Sequence, residues 1–541
     1  MKKILWMFAF GGLFLLSCSD DDVVVDQIPD PDPIVYTSGT ANFSNYVAVG
    51  NSITAGYSDN ALFIDGQTNS FPNMLAENFA LAGGGVFNIP FMADNLGGAT
   101  LGGQPILGNR LILDFSSGSP TPTPVGGTGT TEISNVLSGS FNNMGVPGAK
   151  SFHLVAEGYG NVAGVAAGLA NPYYARFASS PSATIIGDAA VQNPTFFTLW
   201  IGNNDVLGFA ASGGSGVDQT GNLDPTTYGG SDITDPFVFA DVYNGLLVTL
   251  TANGADGVVV NLPDVKALPY FTTVPHDPLD PTNPDFGPQI PLLNTIFGAL
   301  NQIYGAIGAT DRIVVFSESE ASAVVIIDED LADLSATIAG ALLADLPTFE
   351  AFIAQFGLPP QAASLVANLL GATYGQARQA TAEDLIVLTS SSIIGTVNTD
   401  ALQNLVAQGL PADLAGQFSV EGVSLPLADQ WILTPEEQLA VETATTAYNQ
   451  TIEALATQYD LALVDVNSYQ NVIATQGAPL SDGSVVTDEF ATGGGFSLDG
   501  VHPAPRGSAL LANAIVEAIN AKYGSNLPGV NPLDYTGLYI K

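Results

Sequence analysis

The sequence predicts an α/β fold with a central parallel sheet and a mostly helical insertion. Three apolar runs, at residues 46–49, 195–201 and 257–262, are continuous and rich in β-favouring side chains. Such runs are typical of strands that are buried on both faces of a parallel sheet. Residues 237–250 lie between the second and third runs and have helical spacing of their apolar residues. This alternation of strand, helix and strand indicates a parallel sheet.

Composition excludes several classes of partner. The chain has 541 residues, enough for two or three domains or for one domain with large insertions, and 46% of them are hydrophobic. The formal net charge is −41, from 52 acidic and 11 basic residues. Nucleic-acid binding depends on Lys and Arg, so this charge argues against it, and it also disfavours adsorption to anionic lipid surfaces.

The N-terminus has the pattern of an export signal. Lys2 and Lys3 precede an apolar run at residues 4–16 that is too short to span a membrane but fits a signal-peptide core. Cys18 is the only cysteine, so no intramolecular disulfide can form. A lone cysteine directly after such a run resembles the lipobox of bacterial lipoproteins. The resemblance implies cleavage after residue 17 and lipid attachment at Cys18; the alternative is an ordinary signal peptide.

The residues after Cys18 predict a tether. Residues 18–39 are acidic and Pro-rich, which is typical of an extended linker. The acidic run at residues 19–22 is similar to the surface-export signal of Bacteroidetes-type lipoproteins. We therefore expect a protein that is lipid-anchored to the bacterial outer membrane and exposed at the surface, with its folded part beginning near Thr40.

The first strand ends at a serine. The run 46–49 meets Gly50 and then Ser52, and residues 71–79 can form the next helix. A serine on a strand-to-helix turn lies among backbone N–H groups that are available to an anion. Residues 58–140, rich in Gly, Ser, Thr and Pro, form a long segment that we expect to border a site at Ser52; the alternative is a variable surface excursion.

Further turns follow along the chain. Residues 142–150 hold two glycines and a proline within four positions, which predicts a turn with special backbone angles before a helix at residues 151–157. The strand predicted at residues 195–201 ends in the sequence G-N-N-D at residues 202–205.

Residues 269–430 interrupt the α/β pattern. They are apolar, with helices predicted at residues 292–307, 331–344 and 362–370, so we interpret them as an inserted helical subdomain. Its Asp277, Asp280 and Asp285 match no EF-hand spacing and are interpreted as turn formers rather than calcium ligands.

The α/β pattern resumes near residue 431. It continues with a helix at residues 434–459, a strand at 461–466 and a last helix at 508–522. The predicted main domain is therefore discontinuous and comprises residues 40–268 and 431–541.

Only one of the three histidines has a partner in sequence. His502 follows Asp499 by three positions in a loop before the last helix, whereas His153 and His276 have no comparable neighbour. If Ser52 is a nucleophile, His502 is its best candidate base, and Asp499 can orient the imidazole and stabilise its protonated form.

An oxyanion hole needs donors that face the developing negative charge. The candidates are the backbone N–H groups of Ser52 and Gly148 and the side-chain amide of Asn204. Each follows a predicted strand or turn at the carboxyl end of the sheet, where open α/β sheets carry their sites.

Four separated blocks resemble those of the SGNH hydrolases, also called the GDSL esterase/lipase family. The blocks are G-N-S-I-T at residues 50–54, N-M-G-V-P-G-A at 143–149, G-N-N-D at 202–205 and D-G-V-H-P at 499–503. They are similar, in order, to G-D-S-[LI]-[TS], to the block that ends in the oxyanion glycine, to G-x-N-D and to D-x-x-H-P. Gly148 and Asn204 match the two oxyanion positions. The resemblance covers residues 40–268 and 431–525 but not the insertion.

The resemblance implies a three-layer α/β/α flavodoxin-like fold, no metal or other cofactor, and ester hydrolysis through an acyl-enzyme. Ser52, His502 and Asp499 would form the catalytic triad. The chain differs from the family at Asn51, where aspartate is usual, but that position is not in the triad. The G-x-S-x-G elbow of α/β-hydrolases is absent, because residue 54 is threonine.

We therefore expect a carboxylic ester hydrolase that acts on lipid or other acyl esters. The insertion is a candidate lid over a fatty-acyl pocket or, equally, a packing or partner-binding subdomain. One alternative is a carbohydrate O-acetyl esterase, and another is a non-catalytic surface binding protein. The expected partners are the ester and, through the anchor, a membrane. Because Ser52 and His502 lie at opposite ends of the chain, we expect the Ser52 strand to lie beside the last strand–loop–helix unit.

Overall fold

The computed structural model describes residues 34–116 and 120–541. The predicted signal peptide, Cys18 and most of the predicted tether therefore lie outside the described residues. Residues 36–541 form one compact unit. Contacts with the body begin slightly before the expected position, because the Thr37 N–H already donates to Oδ1 of Asn526 (2.6 Å).

A five-stranded parallel sheet forms the centre of the molecule. Its strands, in chain order, are β1 (Tyr46–Gly50), β2 (Asn143–Gly145), β3 (Phe196–Trp200), β4 (Asp256–Val260) and β5 (Ala462–Val464). Their spatial order is 2-1-3-4-5, one of the two common orders of doubly wound sheets. From β1 the chain passes to β2 on one side and then to β3 on the other side of β1. The strand order therefore reverses between β1 and β3.

Helices flank this sheet. The main ones are α1 (Ser52–Ala55), α2 (Phe71–Ala80), α3 (Asn204–Ala211), α4 (Pro236–Thr251), α5 (Pro435–Gln458), α6 (Val466–Gln476) and α7 (Pro505–Tyr523). Helices α2 and α7 pack together, and so do α4 and α5, while both α5 and α7 contact β4 and β5. The prediction of an α/β fold with a central parallel sheet is confirmed.

The sheet is buried on both faces, as its continuous apolar runs predict. Every residue of β1 and β3 is buried. The aromatic rings of Phe43, Phe79 and Phe196 pack against one another, with the first two stacked at 4.1 Å between centroids. The hydroxyls of Tyr46 and Thr198 on neighbouring strands pair at 2.9 Å, which satisfies two polar groups inside this core.

Three local expectations need correction. The turn at residues 142–150 begins with an edge strand, β2, which is too short to leave an apolar run in the sequence. The helix expected at residues 151–157 is a 3₁₀ turn, Ser151–Val155. Residues 58–140, for which no strand is predicted, include several short strands in their described part: Ala99–Leu101, Gln104–Leu107, Leu111–Asp114, Thr121–Pro124 and Thr131–Glu132.

Residues 269–430 contain mainly helices and small antiparallel pairs. The longer helices are Ile290–Ile307, Ser335–Ala344, Leu346–Ala354, Ala363–Tyr374 and Thr399–Ala407. A second hydrophobic core is made only of buried residues between Val274 and Ile432. Within it, Arg378 pairs with the carboxylates of Asp328 and Asp384, both at 2.6 Å.

Across residues 34–116 and 120–541, no single helix has the length and apolar composition needed to cross a membrane. One pair of consecutive helices, Ser335–Ala344 and Leu346–Ala354, meets these criteria only when the two are taken together, and they are bent by 96°.

The Ser52 strand does not lie beside the last strand of the sheet. Strands β3 and β4 separate β1 from β5. The segment that reaches Ser52 from the far end of the chain is instead the loop before α7. That helix packs on α2, which follows β1 in sequence. The contact between the two ends of the chain is therefore made by a loop rather than by strand pairing.

Candidate active site

Ser52 lies at the carboxyl end of β1, at the first position of the short helix α1. The turn into this helix requires Gly50. A Cβ at that position would lie 2.2 Å from Oγ1 of Thr54 and 2.4 Å from the backbone oxygen of Trp200. The close approach of α1 and β3 thus brings Ser52 to the point where the strand order reverses, which is where doubly wound sheets bind their ligands.

Asn51 is fully buried and connects the turn after β1 to the loop after β3. Its Oδ1 accepts from the N–H of Ile53 (3.1 Å) and caps α1. Its Nδ2 donates to Oδ1 of Asn203, in the loop after β3, at 2.8 Å. Asparagine therefore provides the cap that an aspartate would provide and adds a donor that an ionised aspartate lacks, so the turn does not require aspartate at this position.

The structure brings Ser52, His502 and Asp499 together. Oγ of Ser52 and Nε2 of His502 are 2.8 Å apart, and Nδ1 of His502 is 3.0 Å from Oδ2 of Asp499. The Ser52 residue is 6% exposed, and the side chains of His502 and Asp499 are 13% and 10% exposed. These distances match the geometry that serine hydrolysis requires between a nucleophile, a base and an orienting carboxylate.

Asp499 is held in its ionised form. Its Oδ1 accepts the backbone N–H groups of Val501 and His502, and its Oδ2 accepts that of Asn60 (2.8–3.0 Å). Burial on its own raises the pKa of this carboxyl. The charge and hydrogen bonds of His502, with the other N–H donors, outweigh burial and lower the pKa to about 2.

The loop after α1, which contains none of the predicted site residues, supports Asp499. Asp59, only 1% exposed, accepts the N–H of Leu498 and donates its own N–H to Oγ of Ser497, both at 3.0 Å. Burial raises the pKa of Asp59 to about 6. Asp59 and Asn60 have φ values of 50° and 63°. Asp and Asn tolerate this region, so the D-N pair was a usable turn signal.

The three predicted oxyanion donors differ in whether they already have a hydrogen-bond acceptor. The backbone N–H of Ser52 has no acceptor among the described residues, and neither does that of Gly148. Gly148 lies on the turn directly after β2, with φ of +79°, a region that favours glycine. Asn204 uses Nδ2 to donate to the backbone oxygen of Ala149 (2.9 Å), which leaves its second amide hydrogen for a ligand.

Buried side chains hold the turns that carry these donors. Asp205 is fully buried and accepts both the N–H (2.8 Å) and the hydroxyl (2.6 Å) of Ser151, so it ties the loop after β3 to the turn of Gly148. Burial raises the pKa of Asp205. Nδ2 of Asn171 donates to the backbone oxygen of Pro147, on the same turn, at 2.8 Å.

The other two histidines do not join the site. Nδ1 of His153 accepts the N–H of Lys150, its ring stacks on Tyr159, and burial lowers its pKa to about 4. His276 lies 3.7 Å from the Asp277 carboxylate. Nδ1 of His153 is already used by the Lys150 N–H, and the hydroxyl of Ser52 pairs with His502 instead.

One carboxylate cluster in the described part of the chain has the spacing of a metal site. Oxygens of Glu329, Asp429 and Glu437 lie within 4.8 Å of one another. None of the three lines the cavity around Ser52. Asp280, by contrast, accepts the N–H and hydroxyl of Thr282, as a turn former does.

A small cavity opens at the triad. It is lined by Ser52, His502 and Asn204 together with apolar side chains, and it has about 360 Å³ of free space, its mouth included. Of the five predicted site residues in the described part, Ser52, Asn204 and His502 line this cavity. Asp499 lies behind His502, and Gly148 lies on the turn next to the one that carries Asn204.

No family model, no curated protein and no solved structure matches the chain in the three comparisons.

Proposed function

We propose that this protein is a serine ester hydrolase of the SGNH type, with a flavodoxin-like arrangement of its α/β/α layers. The observation that carries the proposal is the hydrogen-bonded chain from Oγ of Ser52 through His502 to the buried, ionised Asp499. The four sequence blocks and the strand order 2-1-3-4-5 support it.

The proposed first half-reaction forms an acyl-enzyme. Oγ of Ser52 attacks the ester carbonyl carbon while Nε2 of His502 takes the hydroxyl proton. The carbonyl oxygen becomes an oxyanion, which accepts from the N–H groups of Ser52 and Gly148 and from the Asn204 amide. When the carbonyl re-forms, the C–O bond to the alcohol breaks and His502 returns the proton to the leaving oxygen.

The second half-reaction releases the acid. Water attacks the acyl carbon and gives a proton to Nε2 of His502. The bond to Oγ then breaks, Ser52 regains its proton from His502, and the carboxylic acid leaves. Asp499 stays ionised throughout and stabilises the imidazolium in both steps.

The test is hydrolysis of p-nitrophenyl acetate by the Ser52→Ala variant. We expect turnover to fall to the background rate with an unchanged melting temperature, because the variant loses only the nucleophile. Ser508→Ala, which alters a buried serine on α7 outside the triad, serves as the matched control and should keep activity. Undiminished hydrolysis by Ser52→Ala would refute the assignment.

Covalent labelling separates the enzyme from the binding-protein alternative. A fluorophosphonate should label the wild type at Ser52 and should not label Ser52→Ala. A folded protein without labelling would favour a binding module. Release of acetate from acetylated xylan, without hydrolysis of lipid-like esters, would favour the carbohydrate esterase.

We further propose that the enzyme is a surface lipoprotein of the outer membrane, attached through Cys18. The support is the sequence pattern at residues 2–22. Expression with radiolabelled palmitate should label the wild type but not Cys18→Ala, which should be found in the soluble fraction. Equal labelling of the two proteins would contradict the anchor.

A further inference from the structure

A second cavity adjoins the one at Ser52 and is almost entirely apolar. The two share four lining residues: Ile53, Pro263, Leu268 and Val501. The second cavity has about 670 Å³ of free space, its mouth included. An acyl group attached to Ser52 therefore has an apolar space next to it, beyond these four side chains.

The walls of this second cavity come from segments far apart in sequence. Trp200 is the last residue of β3, Gln470 and Ile473 lie on α6, and Leu511 lies on α7. Apolar walls favour a hydrocarbon chain, because each methylene removed from water contributes favourably to binding.

Two lining residues carry buried polar atoms without a partner. Nε1 of Trp200 and both amide atoms of Gln470 are inaccessible and make no hydrogen bond among the described residues. Trp200 is only 2% exposed. Buried indole and amide groups normally find partners, and leaving them unpaired costs free energy. Both residues line the second cavity but not the smaller one at Ser52, so a side-chain rotation that turned either polar group into the cavity would present it to the distal part of a bound chain.

We propose that the second cavity binds the acyl chain of the ester, and that the natural acyl group is a hydrocarbon chain with a hydrogen-bonding oxygen, such as a hydroxyl, in its distal part. Gln470 would be the specificity residue that pairs with this oxygen. The inference rests on the proposed function, because it uses Ser52 as the point of acyl attachment.

The experiment compares p-nitrophenyl esters of acetate, butyrate, octanoate and ω-hydroxyoctanoate with the full chain. We expect kcat/KM to rise from butyrate to octanoate by roughly fourfold for each added methylene. The ω-hydroxy ester should exceed octanoate by roughly fivefold or more, since it satisfies a group that octanoate leaves unpaired.

Paired variants of α6 test the location. Ile473→Phe narrows the cavity and should reduce the ratio of octanoate to acetate activity. Val472→Phe changes the neighbouring side chain, which is 46% exposed and lies outside the cavity lining, and should keep the wild-type ratio. Gln470→Leu should remove the preference for the ω-hydroxy ester without lowering the melting temperature, because it deletes an unpaired amide.

The outcomes distinguish this inference from the proposed function. If the wild type shows no hydrolysis of any of the four esters that depends on Ser52, both the proposed function and the acyl cavity are refuted. Hydrolysis that depends on Ser52 with a flat or falling chain-length profile would refute the acyl cavity alone. Equal rates on octanoate and its ω-hydroxy derivative, in both the wild type and Gln470→Leu, would refute the role of Gln470.

Discussion

At the scale of residues, the site depends on the position of one carboxylate. Asp499 follows β5 by more than thirty positions yet is held by backbone N–H groups from both ends of the chain, including that of Asn60. With a pKa of about 2, it stays ionised through the mildly acidic range. If activity falls as the pH is lowered from 7 to 4, the protonation responsible must therefore occur at a group other than Asp499.

Asn204 offers a test of the oxyanion hole. Asn204→Ala removes the only side-chain donor among the three candidates, and we expect kcat to fall by about 10²-fold or more with little change in KM, since the contact strengthens in the transition state. Steady-state kinetics on p-nitrophenyl acetate measure both constants. Because Asn204 also donates to Ala149, a melting curve must accompany the kinetics. A stable variant with unchanged kcat would remove Asn204 from the mechanism.

At the scale of elements, the N-terminus of α5 combines a cap with buried charge. Oε2 of Glu437 accepts the N–H of Thr434 (2.7 Å). Burial, with the charges of Asp429 and Glu329, raises the pKa of Glu437 to about 7 from 4.5. The folded state therefore holds this proton more tightly than the unfolded state, and Glu437 lowers stability as pH rises from about 4.5 to about 7.

Glu437→Gln should remove this pH dependence. The amide oxygen can still accept from Thr434, and no charge forms at high pH. We expect the variant to gain melting temperature relative to the wild type at pH 8 but not at pH 5, in EDTA so that no divalent cation occupies the carboxylate cluster. Glu436→Gln, at the exposed neighbouring position, should show a smaller difference between the two pH values. A variant less stable than the wild type at pH 8 would contradict the linkage.

At the scale of the whole molecule, charge is the dominant feature. With 52 acidic and 11 basic residues, the chain repels itself at neutral pH. Five of the nine basic residues in the described part form ion pairs: Lys266 with Glu442, Lys522 with Asp460, Lys541 with Asp114, Arg312 with Asp311, and Arg378 with Asp328 and Asp384. The remaining acidic groups rely on solvent and salt for screening.

Salt should therefore stabilise the protein. Raising NaCl from 0.01 to 1 M shortens the Debye length from about 30 Å to about 3 Å, and we expect the melting temperature at pH 8 to rise. At pH 4, close to the sequence pI of 4.1, the same salt series should have a much smaller effect. Calorimetry at both pH values provides the comparison, and an equal rise at both would point to a general salt effect instead.

The sequence by itself determined the features that depend on residues close together in the chain. Continuous apolar runs predicted β1, β3 and β4, since a strand buried on both faces needs apolar side chains along its length. The four blocks selected Ser52, Gly148, Asn204, Asp499 and His502, because turns at strand ends require particular residues at fixed spacing. Their catalytic and oxyanion roles remain predictions.

Only the tertiary structure decided which segments meet. The edge strand β2 is stabilised by pairing with β1 rather than by its own three residues. The support of Asp499 by the loop of Asp59 and Asn60 joins positions about 439 apart. The separation of β1 from β5, and the cavity that contains Trp200 and Gln470, likewise arise from packing between distant segments. Local patterns report burial and turn geometry, whereas these contacts depend on the summed packing of the whole core, which no local pattern encodes.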